Sequence, residues 1–251
     1  MIYDYLLNTI SAKGAAYLIL LDPERISKDK LFPFIRHCEK CGVDGFLVGG
    51  SLILDGDFES FIEKVKETTN LPAIIFPGGV EQVFEAADAI LFLSVVSGRN
   101  PEHLIGKQVL AAPVIKKKKL EPIPTGYMII ESGSLTTAEY FSNSLPIPRN
   151  KPDIAAATAL AAEYLGMKLI YLEAGSCADN PVPNEIIKAV SDYCSVPVIV
   201  GGGIKAPQTA REKVESGAKI IVTGNFFEDE ANWNLIKNFS EAVHIKQSIK
   251  V

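Results

Sequence analysis

Eight short apolar runs, most of them followed by a stretch with helical spacing, restrict the fold of this chain more than any other feature. They are Tyr17 to Asp22, Gly45 to Gly49, Ala73 to Phe76, Ala89 to Val96, Gly126 to Glu131, Leu169 to Glu173, Val198 to Gly201 and Ile220 to Thr223. They are apolar nearly throughout rather than at every second residue, the pattern of parallel strands covered on both faces. Between them, Asp29 to Lys40, Phe58 to Thr68, Asp153 to Leu165, Asn184 to Tyr193, Pro207 to Ser216 and Glu230 to Lys246 read as helices, several ended by glycine or opened by proline. This order without a linker predicts one (β/α)8 barrel domain over residues 1–251, a usual length for that fold. Two places are irregular. Between Phe76 and Ala89 there is room only for a short helical turn. Residues 132–150 form a long polar stretch whose readings are a lid over the mouth or an ordinary surface excursion.

Composition excludes several function classes. A net charge of −5 argues against a nucleic-acid binder, which shows a basic face. No apolar run reaches the roughly 18 residues that span a bilayer, and the N-terminus lacks the basic start and apolar stretch of a secretory signal. The chain is therefore expected in the cytoplasm. Its four cysteines, Cys38, Cys41, Cys177 and Cys194, read as reduced thiols. Cys38 and Cys41 form a C-x-x-C beside His37 without a second ligand pair downstream, so buried thiols near a helix end are the ordinary reading and zinc the minor one. Lys116 to Lys119 reads as a solvated face, with transient contact to a membrane surface as the second reading.

The chemistry concentrates at the C-terminal ends of the strand runs. Tyr171-Leu172-Glu173-Ala174-Gly175-Ser176-Cys177, Gly201-Gly202-Gly203 and Thr223-Gly224-Asn225 each close a late strand. Glycine amides there suit a phosphate, as in many barrels after strands seven and eight. Tight turns alone are the competing reading. Glu173 adds a carboxylate that could accept a proton or orient a hydroxyl, or else pair with a lysine such as Lys205. Asp22 closes the first run and Ser51 follows the second, so the two could share a magnesium ion; a turn cap is the equal alternative for Asp22. Arg99, after the fourth run, is either a fork for a second phosphate or a surface arginine in a turn. No Ser-His-Asp pattern, Walker A loop or dinucleotide fingerprint is present.

Taken in order, Leu21-Asp22-Pro23-Glu24, Val48-Gly49-Gly50-Ser51, Ser97-Gly98-Arg99-Asn100-Pro101, Tyr171 through Ser176, Val200 through Ile204 and Val222-Thr223-Gly224-Asn225 resemble geranylgeranylglyceryl phosphate synthases and their bacterial relatives of the PcrB type, over about residues 17–225. The resemblance implies a modified TIM barrel with one outer helix reduced or missing. It implies magnesium-dependent prenyl transfer from a polyprenyl diphosphate to the C3 hydroxyl of sn-glycerol 1-phosphate, giving an ether-lipid precursor. It also implies a homo-oligomer, dimer or hexamer. By motif, Asp22 and Ser51 would hold the metal. Tyr171, Leu172, Glu173, Ala174, Gly175, Ser176, Cys177, Gly202, Gly203, Gly224 and Asn225 would hold glycerol phosphate. In such a reaction Glu173 is expected to align the attacking hydroxyl and take its proton, and Arg99 to stabilise the departing diphosphate. Some relatives carry a lysine where this chain has Leu20, many have glycine at the place of Cys177, and many have threonine at that of Ser51. The lysine difference points to the second group of the family. A different phosphate-binding barrel enzyme, such as a phosphosugar isomerase, is the alternative, and a non-catalytic phosphate binder is the third reading.

Overall fold

The structure, a computed structural model, describes residues 1–50, 52–53 and 57–245. Among them, strands β1 (Ala16–Leu21), β2 (Gly45–Val48), β3 (Ala73–Ile75), β4 (Ala89–Val95), β5 (Glu121–Ile129), β6 (Leu169–Glu173), β7 (Val198–Gly201) and β8 (Ile220–Thr223) pair in parallel, and β8 returns to β1 to close a barrel. The helices are α1 (Ile2–Lys13), α2 (Lys28–Lys40), α3 (Phe58–Thr68), α4 (Lys107–Lys118), α5 (Thr137–Ser142), α6 (Pro152–Tyr164), α7 (Asn184–Tyr193), α8 (Pro207–Glu215) and α9 (Ile236–Val243). Between β3 and β4 the chain makes only the 3-10 turn Val80–Gln82, so no helix covers that sector.

Because strand side chains alternate, the apolar strands feed two cores. The inner one is built from every second strand residue, including Leu18, Leu47, Ile74, Leu91, Tyr127, Tyr171, Ile199 and Val222. The outer one joins the other strand faces to the helices, as with Ile19, Val48 and Leu172 against Leu31, Ile35, Ile62 and Ile187. The amphipathic α1 plugs the N-terminal end of the barrel. Leu6 is buried in the inner core, the amides of Ile2 and Tyr3 donate to the Glu121 carboxylate at the start of β5, and Tyr5 donates its hydroxyl to the Asp44 carbonyl before β2. Closure at that end leaves the C-terminal mouth as the open one.

Several elements differ from expectation. β5 starts at Glu121 rather than Gly126, despite Pro122 and Pro124. The Pro124 carbonyl accepts from Lys168 on the β6 side, so the missing proline N–H also faces that side, below the point where β6 begins. The lysine run lies at the end of α4, a helix whose sequence carries Pro113. Residues 132–150 contain α5 and a bridge from Ile147 to Ile130, so this segment is partly regular structure. The last expected helix is a 3-10 stretch, Glu230–Leu235, leading into α9, and its expected end at Lys246 lies outside the described residues.

Candidate active site

Glu173 is the last residue of β6 and faces inward, two residues beyond Tyr171 on the same side of the strand. It is buried, and its Oε1 accepts the Gly175 amide at 2.6 Å. Burial pushes its carboxyl up to about 7, against the opposing pull of the Gly175 amide and the Tyr171 hydroxyl. Burial first, and then the neighbouring Glu173 charge, hold the Tyr127 and Tyr171 hydroxyls well above the ordinary tyrosine range. Among the described residues Glu173 is in no salt bridge, and Lys205, which lines the same cavity, does not pair with it.

A backbone cradle surrounds this carboxylate. Gly175, Gly202 and Gly203 have φ of 104°, 84° and 69°. A Cβ at Gly202 would lie 2.5 Å from Glu173 Oε1 and 2.6 Å from the Gly175 nitrogen, so only glycine fits between the ends of β6 and β7. Ser176 donates its hydroxyl to Asn225 Oδ1 at 2.9 Å, and Asn225 Nδ2 donates to Glu228 Oε1 at 3.0 Å, tying the β6 and β8 ends together. Gly224 lets the chain pass close to Leu20, whose Cβ would be 3.2 Å from an added methyl. Tyr171, Glu173, Gly175, Ser176, Cys177, Gly202, Gly203, Gly224 and Asn225 all line one cavity of about 630 Å³. Leu172 and Ala174 do not. Strand alternation turns their side chains into the outer core, and Ala174 instead donates its amide to the Gly201 carbonyl.

Asp22 lines the same cavity on its far side. Its carboxylate accepts the Glu24 amide at 3.0 Å and lies against Gly50, where a Cβ would come within 3.0 Å of Oδ1. Burial raises its carboxyl, partly offset by that amide and by Arg25. One oxygen thus serves as the turn cap, and the carboxylate also opens into the cavity. Ser51 lies outside the described residues. Arg99 is placed elsewhere. Its Nη1 donates to the carbonyl of Gly98 at 2.8 Å and contacts that of Val96 at 3.5 Å, and it is not part of the cavity wall. The reason is local. The 97–100 turn is packed against the 132–150 segment, with Asn100 Nδ2 donating to the Ser142 carbonyl, so the guanidinium folds back on its own turn.

From the mouth the cavity runs into the sector that lacks a helix. There the outward faces of Ile90 and Phe92 on β4, with Val83, Ala111 and Ile115, form an apolar trough beside α4. Phe141 and Ser142 of α5 line the cavity too, so the 132–150 segment forms part of its wall. The reading of the residues alone missed Phe76, Tyr127, Arg25 and Glu228, all in the wall. The signal for Tyr127 was its pairing register with Tyr171, which needs the strand alignment. In the C-x-x-C, Cys38 is buried and Cys41 Sγ lies 3.5 Å from His37 Nε2, and the described residues hold no cluster of three or more metal-type ligands.

Comparison with known proteins fits this geometry. The PcrB family model matches residues 8–243. The chain is 43% identical over 234 residues to the geranylgeranylglyceryl phosphate synthase of Chitinophaga pinensis, covering 93% of this chain and 92% of that one. It is 41% identical to the Pyrococcus horikoshii enzyme of the same name, covering 92% and 91%. The crystal structure of (S)-3-O-geranylgeranylglyceryl phosphate synthase from Thermoplasma acidophilum, in complex with its substrate sn-glycerol-1-phosphate, superposes with a TM-score of 0.91 at 32% identity, covering 97% of this chain and 98% of that one.

Proposed function

The chain belongs to the PcrB family, and from that premise we propose that it transfers a prenyl group from an allylic polyprenyl diphosphate, of geranylgeranyl length, to the C3 hydroxyl of sn-glycerol 1-phosphate, acting as a single barrel domain. The observation that carries this reading is one cavity with a buried, uncompensated carboxylate in a glycine cradle at one end, a second carboxylate across the mouth, and an apolar trough leading away.

The glycine turns at 175, 202 and 203 and the Ser176–Asn225 pair supply fixed amides and side-chain groups for a phosphoester, with Lys205 and Arg25 as cations in the same wall. Cys177, exposed and at φ 58°, contributes through its backbone at the end of this run. Glu173 accepts the C3 hydroxyl and orients its oxygen toward the allylic carbon. The C1–O bond of the prenyl donor breaks with both electrons leaving on the diphosphate, and the glycerol oxygen forms the new C1–O bond. The hydroxyl proton passes to Glu173, whose raised pKa makes it a competent acceptor near neutral pH. A cationic carbon needs little nucleophile activation, so most of the rate comes from positioning. The trough takes the hydrocarbon tail out of water.

Asp22 fits a magnesium ion as its single carboxylate ligand. It opens into the cavity, is in no salt bridge among the described residues, and is raised by burial that the Glu24 amide and Arg25 offset only in part. Ser51 is proposed as the second ligand on motif alone. When bound, magnesium supplies charge neutralisation for the leaving diphosphate. Membership also supports a homo-oligomer working in the cytoplasm. No described helix is long and apolar enough to cross a membrane, and exposed Leu110, Tyr140 and Leu145 offer apolar surface for a second copy or for brief membrane contact.

The test is diphosphate release from geranylgeranyl diphosphate, magnesium and sn-glycerol 1-phosphate. Release that needs all three, and that falls when the sn-3 enantiomer replaces sn-1, is the expected result. Absence of release with every prenyl length tried overturns the reading.

A further inference from the structure

The strand side chains of the inner core are aliphatic through the barrel's depth, with Leu18, Leu47, Ile74, Leu169, Ile199 and Ile220 among them. At the mouth the character changes. Phe76, Tyr127 and Tyr171 form one touching group: Phe76 and Tyr171 stack with centroids 5.3 Å apart at 13°, Tyr127 meets Tyr171 edge-on at 5.4 Å, and Phe76 lies 5.8 Å from Tyr127. All three line the cavity. Tyr171 is tied to the Glu173 side by its hydroxyl. Phe76 belongs to the other side: its carbonyl packs so close to Gly49 that a Cβ there would lie 2.0 Å away, and the next residue, Gly50, lies against the Asp22 carboxylate. The aromatic group therefore floors the gap between the two carboxylates. Packing alone does not call for this, since Leu and Val fill the neighbouring inner positions at Leu20, Leu91 and Val222.

We propose that Phe76, Tyr127 and Tyr171 form an aromatic floor that stabilises the allylic cation by cation–π attraction as the diphosphate departs. This rests on the prenyl-transfer reading. In the step considered, positive charge develops over C1 and C3 of the allylic unit, which lies between the donor's leaving group at the Asp22 side and the glycerol oxygen at Glu173. The negative faces of aromatic rings attract a desolvated cation, and the attraction is absent in the neutral ground state. The rings therefore act on the transition state and leave ground-state binding of the donor largely alone. Phe76, half-buried in the wall and without a polar atom, isolates the effect. Tyr171, 1% exposed, stacks on one face of Phe76 and holds Glu173, and the buried Tyr127 braces both rings, so Phe76 is the ring that meets the cation.

The experiment replaces Phe76 with mono-, di- and trifluorophenylalanine by nonsense suppression, which keeps ring shape and weakens the π face stepwise. The expected result is a stepwise fall in kcat, about tenfold across the series, with KM for both substrates within about twofold. Phe76→Leu is expected to lose at least as much, and Phe76→Trp to retain activity if it folds. A kcat that stays level from phenylalanine through the trifluoro ring overturns the proposal. If the unsubstituted protein itself releases no diphosphate, the prenyl-transfer reading fails instead, so the two failures are told apart.

Discussion

Two buried carboxylates at opposite ends of the barrel have opposite surroundings. Asp44, beneath β2 at the closed end, is 2% exposed and fully engaged. Its oxygens meet Lys13, the Tyr17 amide at 2.8 Å and His244 Nε2 at 2.7 Å, while Ser240 links His244 Nδ1 at 3.3 Å to the Gly42 carbonyl. Burial would raise its carboxyl, but these partners outweigh burial and hold it below the usual range. Glu173, at the mouth, has an amide and a hydroxyl but no cation, and burial wins. Ser240, His244 and Asp44 sit in the order of a hydrolase triad, yet the serine is buried and donates to a backbone carbonyl, so the group works as a clasp between α9, α1 and β2. A satisfied carboxylate stabilises the fold, whereas an unsatisfied one costs stability and is held ready for chemistry.

The largest expected effect comes from breaking the clasp. Asp44→Ala leaves Lys13 and His244 facing a void and is expected to cost about 3–5 kcal/mol, lowering Tm by about 10 °C. Turnover per folded molecule should hold within about twofold, as read by urea denaturation beside steady-state kinetics. Glu173→Gln should do the reverse, with kcat down about a hundredfold and the native state retained.

The pH dependence separates the two acids in sign. Glu173 rises from 4.5 unfolded to about 7 folded, so its charge destabilises the protein progressively as pH rises across that window, by about 3 kcal/mol above it. The stability advantage of Glu173→Gln over the parent should therefore grow from pH 4 to 8. The contribution of Asp44 is present above its unfolded value of 3.8 and is lost as pH falls through its lowered folded value. Denaturation midpoints measured across pH for both variants check the opposite slopes. Smaller effects follow. Gly202→Ala, forced to positive φ against Glu173, should raise KM for glycerol phosphate about tenfold while kcat changes less. His244→Ala should cost about 1–2 kcal/mol of stability with activity unaltered, since Lys13 and the Tyr17 amide still hold Asp44.

Much of this was legible in the chain. The β6, β7 and β8 boundaries, and those of α3 and α7, coincide with the apolar and helical runs that announce them. Glu173 and the glycines after β6, β7 and β8 could be picked out because strand-end glycines and an acid at the end of an apolar run have few other uses. The helix α1 was not assigned, because its weak amphipathicity gains meaning only against an open barrel end. For Arg99 the residues left a phosphate fork and a surface arginine in a turn equally open, because the packing of its turn against the 132–150 segment is a contact between loops that local pattern does not carry. Leu172 and Ala174 were included with their run, although alternation already assigns them to the outer face.

The sequence by itself determined the repeating strand–helix order, the parallel barrel and the run of backbone cradles at one end, because hydrophobic period and glycine placement are local properties. Only the tertiary structure decided that Asp44 is quenched while Glu173 has no cation beside it, and that a ring just past β3 meets rings from β5 and β6 between two acids. Those outcomes depend on which groups from distant segments come within hydrogen-bond reach and how much water they exclude, and such distances exist only after the barrel closes.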